Sequence, residues 1–329
     1  MKKIKILFKI SITIVALYLL IDFNIVSFDD IAALNGKYRE LSLVLALMII
    51  TLFIASYKWW IILKKSEYNV PYKMSFCLYT TGLFFNSIMP GSAGGDIVKG
   101  FYLFKFVKSS QRTKALSTII VDRVIGLHAL LIITLYSLAS LWVKINKYEE
   151  ILFIFFMILF LIIFIPLLIY ISLFFSSGIL SFLNKFDNKL LNNFSMIMTK
   201  LYNAFYTYNE NFSTLIFCYI LSIINHIILI YCFYIIGIIL LESDLHILDI
   251  YVSSSLSLVI NIIPITPGGI GIGESAFDYI LSRLITFDEN LAYGSIFFIT
   301  YRVLFTIASF VGAYSFIILK KPESLFKRK

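Results

Sequence analysis

The 329-residue chain is 60% hydrophobic and only 14% charged, more apolar than a soluble domain, in which apolar residues rarely exceed about half. Its net charge of +9 does not indicate a nucleic-acid protein, because the basic residues cluster between apolar runs rather than on a soluble face. The longest polar stretch, about residues 176–213, is too short for a catalytic domain of ordinary size. Cys77, Cys218 and Cys232 are scattered through apolar segments without metal-ligand spacing, so neither a disulfide framework nor a metal site is expected.

In chain order, the lysine-rich start followed by apolar Ile6–Ile21 has the look of a signal sequence. It lacks a small-residue cleavage pattern, and it is read as an uncleaved first span. Further runs able to cross a bilayer are Leu41–Leu63, Ala115–Trp142, Ile151–Phe175 (with Pro166 inside it), Thr214–Leu241 and Leu291–Leu319. Two other apolar segments, Ser75–Tyr102 and Ile250–Ser282, are broken in the middle by proline and glycine. Between Phe186 and Tyr208, apolar residues at helical spacing suit either an interfacial helix or a helix packed on the loops.

The basic residues decide how the broken segments are read. Lys2 to Lys9, Lys58 to Lys73, Lys99 to Lys114, Lys185 to Lys200 and Lys320 to Lys329 hold 21 of the 28; Lys37, Arg39, Lys144, Lys147 and Arg283 fall in the other loops. Cytoplasmic loops carry the excess of lysine and arginine. The partition holds only if Ser75–Tyr102 begins and ends in the cytoplasm and Ile250–Ser282 begins and ends outside. Two ordinary kinked spans would put Lys99 to Lys114 outside. The expected fold is therefore all-α and polytopic: six spanning helices plus two opposed re-entrant hairpins in one integral membrane domain over 1–329. Repeat A covers about 41–142, a linker about 143–213, and an inverted repeat B about 214–319; both termini are cytoplasmic.

The broken segments nearly repeat one another. Asn86 and Pro90 lead to Gly94, Gly95 and Asp96; Asn261, Pro264 and Pro267 lead to Gly268, Gly269 and, later, Glu274. Each acid is followed by an arginine inside a later apolar span, Asp96 by Arg123 and Glu274 by Arg302. A charged residue at mid-span costs roughly 2.5–3.5 kcal/mol on insertion scales, and matched interruptions in two halves point to a central site. Arginine presents a donor fork suited to phosphate or carboxylate. Two roles stand open: holding an anionic headgroup, or pairing with an acid, Arg123 with Asp96 or Asp122 and Arg302 with Glu274 or Asp278. Adjacent Asp122 and Arg123 do not face each other on a helix. The glycines precede helix starts whose free N–H groups attract anions, although tight turns and close packing explain glycine equally well. His128 and His226 read as satisfied interior histidines. No catalytic triad, paired catalytic carboxylates or cofactor loop stands out.

Asn86…Pro90-Gly-Ser-Ala-Gly-Gly95-Asp96-Ile-Val-Lys99, Val121-Asp122-Arg123 and Pro264-Ile-Thr-Pro267-Gly-Gly-Ile-Gly-Ile-Gly273-Glu274 together resemble the flippase-like family of the lysylphosphatidylglycerol synthase transmembrane region. The resemblance implies a protein of the bacterial or archaeal cytoplasmic membrane. It implies translocation of a phosphate-bearing lipid, either an aminoacylated or anionic phospholipid or a polyprenyl-linked glycan. Glycan- or lipid-synthesis enzymes are possible partners; nucleic acid, cofactor and metal are not expected. The alternatives are a membrane-embedded lipid-modifying transferase and a non-transporting accessory subunit. Synthase activity is not carried over, because no soluble synthase domain follows within the 329 residues. Lys99 stands where many relatives have arginine. The expected substrate-binding set is Arg123, Arg302, Asp96, Glu274, Asn86, Asn261, Gly94, Gly95, Gly268, Gly269 and Lys99.

Overall fold

A computed structural model describes residues 35–66, 68, 70–88, 94–174, 199, 201–241, 245–262, 271–285 and 293–320. The expected first span and the Pro90, Pro264, Pro267, Gly268 and Gly269 turns lie outside them. Among the described residues there is no strand. The main helices are α1 (Tyr38–Lys65), α2 (Tyr72–Ile88), α3 (Gly94–Leu103), α4 (Arg112–Ser140), α5 (Glu149–Phe174), α6 (Phe212–Leu241), α7 (Ile247–Asn261), α8 (Ile272–Leu284), α9 (Tyr293–Ser309) and α10 (Val311–Lys320). Five stretches are long and apolar enough to cross a membrane: α1, α4, α5, α6, and α9 with α10. These match the five later spans expected from the sequence.

Packing follows a paired pattern. α1 packs along α6 through the middle of the bundle. Around that axis α2 packs on α3 as α7 packs on α8, and α4 meets α7 as α2 meets α9 and α10. Each half thus leans a helix pair on the other half's last long helix. At the α2–α10 crossing Thr80 donates to Ser315 at 2.9 Å, while Gly312 lies against the Thr80 carbonyl with no room for a Cβ. Small residues at such crossings let backbones approach where lipid provides no hydrophobic drive. α7 carries Ser253, Ser254, Ser255 and Ser257, all fully buried; each donates to a carbonyl three or four residues back in its own helix.

α5 is attached mainly to α4 and exposes a phenylalanine-rich face at Phe153, Phe156 and Phe160, as a lipid-facing helix should. Pro166 leaves the Ile162 carbonyl without its helical donor, since proline has no N–H. His128 of α4 lies 3.1 Å from that oxygen through Nε2, and 3.0 Å from the Tyr219 hydroxyl through Nδ1. Donation to Ile162 makes Nδ1 the acceptor of the Tyr219 proton, so one histidine satisfies three elements.

Of the segment expected between Phe186 and Tyr208, only residue 199 and residues 201–208 are described. Ala204, Phe205 and Tyr208 are buried against Ile62, Val121 and Cys218, so this end packs into the bundle rather than along an interface. Tyr208 donates to the Ile62 carbonyl at 2.9 Å and meets Ser66 at 2.6 Å, covering the end of α1.

Candidate functional site

Each half pairs its acid with its arginine, and the two asparagines take different parts. In the first, the Asn86 side-chain oxygen accepts the Gly95 N–H at 2.6 Å, one of the early donors a helix leaves unpaired. Asp96 follows in the first turn of α3 and receives Arg123 Nε at 2.8 Å. In the second, Glu274 in the first turn of α8 receives Arg302 Nε at 2.7 Å and its second guanidinium nitrogen at 3.2 Å. The Asn261 oxygen stands 3.5 Å from Arg302. Both acids sit where a helix dipole favours negative charge. Glu274 also accepts the Gly271 N–H at 2.9 Å. Gly271 has φ +87°, a conformation that suits glycine at this entry to α8.

The Gly95 and Gly271 donors are therefore committed within the protein, which narrows the expectation that the helix starts hold an anion. Gly94 opens α3, and the Gly268 and Gly269 positions are among those not described. Asp278, the other candidate partner for Arg302, instead accepts the Gly294 N–H at 3.0 Å and orders the start of α9.

One cleft of about 650 Å³ lies between the halves, and Asn86, Asp96, Arg123, Asn261 and Arg302 all line it. The Arg123 side chain is 54% exposed, and that of Arg302 25%; both arginines line the opening, while Glu274 is buried behind Arg302. The rest of the lining mixes apolar Leu130, Leu258 and Phe305 with polar Ser222, Asn225 and His226. His226 Nδ1 donates to the Ser222 carbonyl at 2.8 Å, which leaves Nε2 as the acceptor nitrogen.

The sequence reading included Lys99 in the expected set but missed the charged cluster it forms with Lys58 and Asp122 on the same wall. Lys58 and Lys99 were grouped with the cytoplasmic flanks, yet they are 6% and 3% exposed. Lys58 Nζ meets Asp122 at 3.0 Å and Ser222 at 3.0 Å, and Lys99 Nζ meets Asp122 at 3.5 Å. The correction has a simple cause. Lys58 precedes Lys65 by two helical turns, which puts it roughly 10 Å deeper along α1. Asp122 was the signal available: an acid inside an apolar span needs a cation partner, and its neighbour Arg123 faces elsewhere.

Part of the chain is 32% identical over 119 residues to a UPF0104 membrane protein of Methanocaldococcus jannaschii; the match covers 36% of this chain and 34% of that protein, about a third of each. The family described as the lysylphosphatidylglycerol synthase TM region matches residues 6–309, a range that contains both arginine–acid pairs, both broken segments and the cleft between them. The chain belongs to that family.

Proposed function

We propose that this protein is a translocase for a phosphate-bearing lipid, with the headgroup passing through the cleft while the acyl chains stay in the bilayer. The observation that carries this reading is that an arginine from each half, held by its acid, lines one cavity. In transporters built from inverted repeats, substrate sites lie at the repeat interface and are formed by broken helices. On this reading α2–α3 and α7–α8 are re-entrant pairs entering from opposite sides. Their lengths support it: α3 has 10 residues and α8 has 13, about 15 and 20 Å of helix, against a hydrocarbon core of about 30 Å. The paired packing around α1 and α6 is what an internal repeat produces.

In this scheme Arg123 and Arg302 offer donors to the headgroup from opposite walls, while Asp96 and Glu274 hold their orientation. A mixed polar and apolar cleft suits an amphipathic cargo. The test uses purified protein in proteoliposomes containing a fluorescent phospholipid. Arg123→Ala and Arg302→Ala should each slow its movement between leaflets by tenfold or more, about 1.4 kcal/mol of barrier, with elution profile and thermal midpoint kept. Wild-type rates in both variants would overturn the assignment.

A further inference from the structure

The two halves differ at three linked positions, and the difference bears on the charge of the ligand. Lys99 lies three residues after Asp96, and Phe277 three after Glu274; Asp122 and Tyr301 each immediately precede the arginine. Lys58 of α1 and Lys99 of α3 converge on Asp122 of α4 at 3.0 and 3.5 Å. On α6, the counterpart of α1, Phe233 stacks on Tyr301 with ring centroids 4.0 Å apart and on Phe277 at 5.3 Å. One three-cornered contact is thus built twice, once from charges and once from aromatic rings. All six residues are at most 6% exposed.

The aromatic corner demonstrates that this position can be packed without charge. Buried ion clusters are commonly no more stable than apolar residues of similar volume, because of the desolvation they incur. Stability therefore does not account for the charged corner, whereas its place on the cleft does: Lys58, Lys99 and Asp122 all line the cavity, while of the aromatic corner only Tyr301 does. The charges there do not balance. Arg123 and Arg302 each have an acid of their own, but Asp122 is one carboxylate between two ammonium groups. The other close neighbours of Lys99 are the ring faces of Trp59, 3.9 Å from its Nζ, and Tyr79, 4.6 Å, which attract a cation without neutralising it. Among the described residues, the four cations lining the cleft meet three carboxylates, Asp96 and Asp122 in the lining and Glu274 behind Arg302, and the surplus sits at the Lys58–Lys99 corner.

We infer that this corner seats the phosphate of a lipid headgroup carrying net negative charge, and that the cleft disfavours aminoacylated headgroups of net positive charge. The inference rests on the lipid-binding reading above. Among the described residues each carboxylate at the cleft is already held by a cation, so an added ammonium group gains at most neutral acceptors such as Asn225, while a phosphate gains two lysines.

The experiment measures affinity of the full chain in detergent for short-chain phosphatidylglycerol, lysyl-phosphatidylglycerol and inorganic phosphate. Phosphatidylglycerol should bind roughly tenfold or more tightly than the lysyl form, the scale of one charge-assisted contact. Inorganic phosphate should compete weakly. Lys99→Met leaves Lys58 and Asp122 matched one to one and should abolish the preference, while Lys99→Arg should keep it. Should Lys99→Met fail to fold, the triple exchange Lys58→Phe, Asp122→Tyr and Lys99→Phe copies the aromatic corner and should likewise lose the preference. Equal affinity for the two lipids, tighter binding of inorganic phosphate than of lipid, or a preference that survives Lys99→Met would overturn the inference. Selective binding with no transport in proteoliposomes removes the translocase reading alone; transport of both lipids at equal rates removes the anion seat alone.

Discussion

Gly95 is the least replaceable small residue at the site. A Cβ there would run into the Gly82 carbonyl oxygen of the α2 backbone and lie 2.6 Å from the Asn86 side chain that caps α3. Overpacking of this kind costs about 1–3 kcal/mol, with loss of the Asn86 cap adding to it. Gly95→Ala should therefore lower the thermal midpoint in detergent by several degrees. Gly126→Ala, whose nearest neighbour is Lys58 Nζ at 3.8 Å, should leave it nearly unchanged. Residues of this kind were only half legible in the sequence. Arg123 and Arg302 stood out because charge inside an apolar run is costly wherever it occurs. Lys58 did not, because a lysine two turns from a basic flank looks the same on paper whether its ammonium reaches back to the interface or turns inward to Asp122.

Among the elements, α4 and α5 depend on a single exchange of hydrogen bonds. With Pro166 withholding a donor, the Ile162 carbonyl relies on His128. An unsatisfied buried acceptor costs about 1–3 kcal/mol. His128→Ala should lower stability by that amount in the natural protein but by clearly less with Pro166→Ala, which restores the helical N–H. A double-mutant cycle on unfolding midpoints should give coupling of roughly 1 kcal/mol or more, and an additive result would refute the role assigned to His128. The long spans were legible because about twenty apolar residues in a row leave little choice. Their ends were less so: the last span is interrupted at Phe310 between α9 and α10, where sequence hydropathy runs on unbroken. The end of the Phe186–Tyr208 segment was also ambiguous, since amphipathic spacing is the same whether the apolar face meets lipid or, as with Phe205 and Tyr208, protein.

For the whole molecule, the sequence singled out the acids and arginines flanking the interruptions, whereas the cleft required side chains from seven helices and no single motif contains it. The proposed topology makes a direct prediction. With Cys77, Cys218 and Cys232, all buried, replaced by alanine, exposed positions around α2–α3 should label from one membrane face and those around α7–α8 from the other. Lys73→Cys and Lys108→Cys should react only with reagent on the cytoplasmic side, and Lys147→Cys and Ser282→Cys only with reagent outside. Labelling of Lys73 and Lys108 from opposite sides would mean that α2 and α3 together cross the bilayer.

The four serines of α7 carry a mechanical implication. Their hydroxyl protons are spent on their own helix, as are those of Thr134 and Ser137 on facing α4. Displacing α7 along α4 would thus sever no bond made by these groups, and its resistance would come from shape and dispersion, apart from the Lys144–Asp249 tether at one end. The counterpart crossing of α2 and α10 is riveted by Thr80 and Ser315. A molecule assembled this way has one lubricated joint and one fixed joint, and its stiffness differs between the two crossings.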